Sequence, residues 1–222
     1  MGNKIIRHAE STKIEYDGKV LSFLSEMGIK KAIEYGKQLD KTIETEIITS
    51  PQIRAIETGY WIGYSYGLEK VGDCKKHAVK RSEDERIDVA NFLQGYSPHQ
   101  VGCQKAYEHL IERTPEEIYI IAQRFASFVV SKLDYSGVLA ISHDIPMAVF
   151  LYVLGINEIN SANSAMSGNL QGFSFGIDNT VDTKHPIISV DGHSERYLVE
   201  MDYLDTLIQN KANCRLQARR LN

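Results

Sequence analysis

The stretch Lys4-Ile5-Ile6-Arg7-His8-Ala9-Glu10-Ser11 joins a short apolar run to an arginine, a histidine and a polar turn. Two β-branched residues followed by Arg-His read as a strand whose last side chains emerge at its carboxyl end. In open α/β sheets the ligand crevice lies outside those ends. An arginine there offers an oxyanion a planar fork of donors, and the neutral imidazole beside it offers a lone pair to an electrophile. Both properties suit phosphate chemistry.

Two later stretches repeat this local order. Ile47-Ile48-Thr49 runs into Ser50-Pro51-Gln52-Ile53-Arg54-Ala55-Ile56-Glu57-Thr58, an apolar run, a Ser-Pro helix start and an arginine in the first helical turn. Gly137 to Ile141 runs into Ser142-His143-Asp144-Ile145-Pro146, again strand, polar turn and helix start. Arg7, His8, Arg54 and His143 are thereby expected at three strand ends. Arg54, near a helix amino end, also gains the backbone amides and dipole that favour an anion.

Arg7-His8-Ala9-Glu10-Ser11 resembles the Arg-His-Gly-Glu-Ser/Thr signature of the histidine phosphatase superfamily, the phosphoglycerate-mutase-like proteins. Leu24-Ser25-Glu26-Met27-Gly28 with Ala32, Gly36 and Leu39 resembles the family's first helix. Ser50, Pro51, Arg54, Ala55 and Thr58 match its second motif, and Ser142-His143 its later Ser/Thr-His motif. These matches follow family order from residue 4 to about residue 177.

The resemblance implies an α/β fold, a three-layer α/β/α sandwich with a mostly parallel central sheet and a small cap insertion. It implies His8 as a nucleophile forming a phosphohistidine, with Arg7, Arg54 and His143 on the phosphate and no metal or other cofactor. Ser11 either donates to a phosphate oxygen or satisfies the turn. Glu10 is expected to orient an arginine or the loop. For the proton donor to the leaving group, Glu85 is preferred, with Glu83 next. Asp144 is a rival, because a more distant branch of the superfamily uses a His-Asp pair; capping the following helix is its other reading.

Composition bounds the rest. The 222 residues, 43% hydrophobic and 24% charged, suit one domain with its own core, and residues 1–222 are read as such. A formal net charge of −4 argues against nucleic acid as partner, and the absence of a long apolar run argues against a membrane one. Cys74, Cys103 and Cys214 are irregularly spaced and suggest neither a disulfide framework nor a zinc site, so a cytoplasmic setting is expected.

Leu24, Met27, Ala32, Tyr35 and Leu39 follow helical spacing with Ser25 as N-cap, and Ile53, Ile56, Tyr60 and Tyr64 form a similar stripe after Pro51. Thr114-Pro115-Glu116-Glu117 reads as a capping box before a helix with Ile118, Ile121, Ala122, Phe125, Val129 and Leu133 on one face. Alternation around Phe173 and Tyr197 marks two late strands. Residues 67–113 are weakly patterned, and the family places its cap there.

The expected activity is metal-independent hydrolysis of a small phosphorylated substrate, with phosphate ion as the other ligand. The alternatives are a phosphoglycerate-type mutase and a non-catalytic phospho-ligand-binding protein of the same fold. Phosphatase and mutase, the physiological substrate and the oligomeric state are left open by the sequence.

Overall fold

The computed structural model describes residues 2–40, 46–67, 79–81, 115–135, 137–156, 168–182, 184–209 and 219–221, with backbone alone at 79–81, 115–117 and 219–221. Glu83, Glu85, the three cysteines, Thr114 and most of 67–113 lie outside the described residues. The chain divides into two compact units.

The first unit draws on Met1–Arg86, Tyr135–His143 and Gly168–Gln171. Its strands are β1 (Asn3–Arg7), β4 (Glu46–Thr49), β5 (Val79–Arg81) and β6 (Val138–Ser142), ordered β1-β6-β4-β5 with every pair parallel. Helices α1 (Glu26–Gln38) and α2 (Ile53–Tyr66) supply crossovers long enough for parallel pairing. All five residues of β6 are buried, which explains its unbroken run Val138-Leu139-Ala140-Ile141. Register places Arg7 opposite Ser142 and Thr49 opposite Ile141, so the three strands end at one level.

Ser25 caps α1 as expected, its hydroxyl accepting from the Gly28 amide at 3.0 Å. The buried stripe of α1 is Gly28, Ala32 and Gly36, whereas Met27 is about half exposed. A Cβ on Gly36 would collide with Ser65 and the Ile62 carbonyl, so α1 and α2 approach more closely than larger side chains permit. The apolar stripe read on α2 likewise points outward: Ile53, Tyr60 and Tyr64 are exposed, while Ala55, Thr58, Gly59, Ile62 and Gly63 are buried.

Between β1 and α1 the chain forms an antiparallel hairpin, β2 (Ser11–Tyr16) with β3 (Lys19–Leu24). Asp17 and Gly18 take φ of 51° and 69°, the left-handed pair that a two-residue hairpin turn requires. Asp-Gly is a dipeptide that tolerates both left-handed positions of such a turn.

The second unit draws on Ile87–Asp134, Asp144–Ser167 and Gly172–Asn222. It contains α3 (Pro115–Ser131), α4 (Asp144–Val153), β7 (Gly172–Ile177), β8 (Pro186–Val190), β9 (Arg196–Leu198), α5 (Met201–Ile208) and β10 (Arg219–Leu221). Ile118, Ile121, Ala122, Phe125 and Val129 of α3 are buried, as the helical spacing predicts, whereas Leu133 lies past the helix end and is half-buried. Phe125, Phe150, Phe173 and Phe175 form a chain of rings with successive centroids 5.7, 5.7 and 6.3 Å apart. Burying each such ring contributes roughly 1.5–3 kcal/mol.

The strands of this unit pair β7-β8, β8-β9 and β9-β10, all antiparallel. The short connections from β7 to β8 and from β8 to β9 leave no room for a crossover. The α/β class therefore holds, but the expected mostly parallel sheet is corrected to a mixed set of pairings, parallel in the first unit and antiparallel in the second. No helix among the described residues is long and apolar enough to cross a membrane.

Candidate active site

Strand pairing brings the expected residues together. The His8 amide donates to the Ser142 carbonyl at 3.0 Å, and the Ser50 amide donates to the Ile141 carbonyl at 2.9 Å. The turns after β1, β4 and β6 are thus tied at their bases. From them His8, Arg54 and His143 converge, and the rings of His8 and His143 lie 5.2 Å apart between centroids at 61°.

The hydrogen bonds fix both tautomers. His8 Nδ1 lies 2.7 Å from the Ala9 carbonyl, which can only accept, so Nδ1 carries the proton. Nε2 then bears the lone pair and accepts from Arg54 Nε at 2.8 Å. Arg54 Nη2 reaches His143 Nδ1 at 3.4 Å, and because a guanidinium only donates, the His143 proton sits on Nε2 and is given to Ser50 Oγ at 2.8 Å. Ser50 is therefore an acceptor for His143, an arrangement opposite to that of an activated serine nucleophile.

Electrostatics keep both rings neutral. Burial, reinforced by the positive charges of Arg54 and Arg7, lowers the His8 pKa to about 3 against the pull of its bond to Ala9. His143 is pushed well below its ordinary value by burial first and then by Arg54. At neutral pH the site thus presents two guanidinium groups and two neutral imidazoles, a setting that favours an anion over a cation.

The loop after His8 is held on two sides. The Ala9 amide donates to Thr58 Oγ1 at 3.0 Å, and the Thr58 hydroxyl donates to the Arg54 carbonyl at 2.7 Å. Ser25 Oγ donates to Glu10 Oε1 at 2.9 Å, and the Ser25 amide donates to the Glu10 carbonyl at 3.0 Å. Glu10 also lies 3.6 Å from Lys31, an exposed pair worth little by itself. Glu10 thus fastens the loop to α1, in keeping with the loop-orienting alternative. Gly28 is required beneath it, since a Cβ there would overlap the Glu10 carbonyl.

Ser11 opens the hairpin opposite Leu24 and is half-buried. Asp144 begins α4, its carboxylate accepting from the Ile145 amide at 2.9 Å, a bond local to the helix start. Ser50 and Thr58 were matched as motif positions without a role and Ser25 only as a helix cap, and the structure shows each bonded to a site residue or its loop. Their common signal is a small hydroxyl residue at a helix start or one turn behind an arginine. Among the described residues no three His, Cys, Asp or Glu side chains gather as metal ligands.

The fold is shared with solved phosphatase and hydrolase structures. No family model matches the sequence, and no curated protein matches it. Among solved structures, the phosphoserine phosphatase of Entamoeba histolytica, in complex with 3-phosphoglyceric acid, is 18% identical with a TM-score of 0.52, over 89% of this chain and 94% of that one. Mycobacterial hydrolase 2 is 17% identical with a TM-score of 0.53, over 95% and 97%. A mycobacterial glucosyl-3-phosphoglycerate phosphatase, complexed with vanadate, is 15% identical with a TM-score of 0.50, over 86% and 97%.

Proposed function

We propose that this chain is a phosphoric monoester hydrolase of the histidine phosphatase superfamily that works without a metal through phospho-His8. The observation that carries the reading is the state of His8: neutral, with its proton held on Nδ1 by Ala9 and its lone pair directed from Nε2 toward Arg54. A nucleophilic imidazole needs that protonation state and that aim.

A phosphomonoester dianion entering the site offers Arg54 a charged acceptor, stronger than the imidazole lone pair it holds in the free protein. Once Arg54 turns to the phosphate oxygens, Nε2 is released to attack phosphorus. The N–P bond forms as the ester O–P bond breaks, while Arg7, Arg54 and His143, whose Nε2–H turns from Ser50 to the phosphate, stabilise the charge on the non-bridging oxygens. Glu85 gives the leaving oxygen its proton, with Glu83 and Asp144 as alternatives, and then takes one from the water that cleaves the N–P bond. Ser11 is an additional phosphate donor in this scheme.

The proposal takes residues 1–222 as one three-layered domain, with a cap within 67–113, acting in the cytoplasm on a small phosphorylated substrate. The ligands of two similar structures, 3-phosphoglyceric acid and vanadate, support the substrate class. Hydrolysis of p-nitrophenyl phosphate in excess EDTA, with His8→Ala beside the wild type, tests the activity. Turnover that survives chelation and vanishes in the variant is expected, and an inactive wild type contradicts the reading.

A further inference from the structure

Four residues close a ring of hydrogen bonds. Arg54 Nε donates to His8 Nε2, His8 Nδ1 donates to the Ala9 carbonyl, the Ala9 amide donates to Thr58 Oγ1, and the Thr58 hydroxyl donates to the Arg54 carbonyl. Thr58 is fully buried and stands one helical turn beyond Arg54 on α2. A hydroxyl has one proton and two lone pairs. Spending the proton on the Arg54 carbonyl, the usual back-bond of a helical threonine, leaves a lone pair for the Ala9 amide.

That amide belongs to the residue whose carbonyl fixes the His8 proton. We propose that Thr58 is a positioning residue for His8, its hydroxyl holding Ala9 so that the Ala9 carbonyl keeps the His8 proton on Nδ1 and Nε2 aimed at the phosphate. The role rests on His8 being the nucleophile. It also couples the two sides of the site, because one oxygen bonds both the loop that carries His8 and the helical turn that carries Arg54.

On the Glu10 side the loop is held separately by Ser25, so losing Thr58 frees the amide side without detaching the loop. The Ala9 carbonyl can then rotate away from Nδ1, leaving only the Arg54 bond at Nε2 to favour the proton on Nδ1, and part of the imidazole population shifts its proton to Nε2. A histidine with its proton on Nε2 has no lone pair there for attack.

The test compares Thr58→Val, which keeps the shape and loses the hydroxyl, with Thr58→Ser, which keeps the hydroxyl. In nitrogen-15 histidine-labelled protein near neutral pH, two-bond proton-nitrogen correlation reads the His8 tautomer directly. The wild type and Thr58→Ser are expected to show the proton on Nδ1, and Thr58→Val a mixture of the two tautomers. With p-nitrophenyl phosphate, kcat is expected to fall about tenfold or more in Thr58→Val while KM changes less than about threefold, and Thr58→Ser to recover most of the loss.

An unchanged His8 tautomer in Thr58→Val overturns the proposal whatever happens to turnover, as does a Thr58→Ser variant as impaired as Thr58→Val. The tautomer is read without turnover, so an inactive wild type counts against the phosphatase reading alone. If Thr58→Val fails to fold, the wild-type Ala9 amide decides: slow hydrogen exchange supports its bond to Thr58, and exchange at the rate of an open loop overturns it.

Discussion

Arg54 Nε donates to His8 Nε2 across 2.8 Å, so the residue expected to bind phosphate holds the lone pair of the residue expected to attack it. One guanidinium contacts both histidines. Replacing Arg54 by lysine keeps a charge but loses the fork that spans them. Arg54→Lys is expected to lower kcat/KM for p-nitrophenyl phosphate by about 100-fold or more, the scale of losing one oxyanion donor. Steady-state kinetics check it, and a Lys variant within a few-fold of wild type contradicts the bridging role.

The neutral histidines make stability depend on acid. His8 has a folded-state pKa of about 3 against an ordinary 6.5, and His143 is lowered in the same direction. Between those values the unfolded chain binds protons that the folded one does not, so stability is complete above pH 6.5 and is lost as pH falls toward 3. Denaturant midpoints measured across this window are expected to fall with acidity, and to fall less steeply in His8→Gln. Equal slopes in both proteins contradict the assignment.

Gly28 meets the Glu10 carbonyl so closely that any side chain displaces the loop or the helix. Gly28→Ala gains helix propensity, worth about 1 kcal/mol on an open helix, yet overpacks a site with backbone on the other side. A net loss of about 1–3 kcal/mol is expected by denaturant unfolding, together with lower turnover as the His8 loop shifts. A stabilised Gly28→Ala protein rules out the close approach.

The residues of the site were legible in the sequence because each follows an apolar run long enough to be a buried strand: Ile5-Ile6 before Arg7, Ile47-Ile48 before Ser50, and Leu139 to Ile141 before His143. Strand ends are where chemistry gathers in such sheets, and local order alone located them. Helix faces were less legible. Met27, Tyr60 and Tyr64 are apolar and correctly spaced, yet they point outward, while Gly28 packs against the Glu10 backbone and Gly36 against α2. Hydrophobic periodicity weighs side chains by size, and close helix packing depends on small ones.

The antiparallel strands of the second unit were half legible. β7 and β9 alternate, while Pro186-Ile187-Ile188-Ser189-Val190 is buried at four of its five positions and carries no period-two signal. The hydroxyls that hold His143 and the loop after His8 were illegible for another reason. Ser25, Ser50 and Thr58 are common residues whose roles depend on the direction of one hydroxyl, which only the folded backbone determines.

The central claim, a covalent intermediate on His8, is tested most directly by rapid acid-free quenching of the wild type with a phosphorus-32-labelled monoester, followed by mapping of the labelled peptide. The account predicts an alkali-stable, acid-labile phosphate on the peptide containing Arg7-His8-Ala9, absent from His8→Ala. Turnover with no label on that peptide, or label retained in His8→Ala, would contradict it.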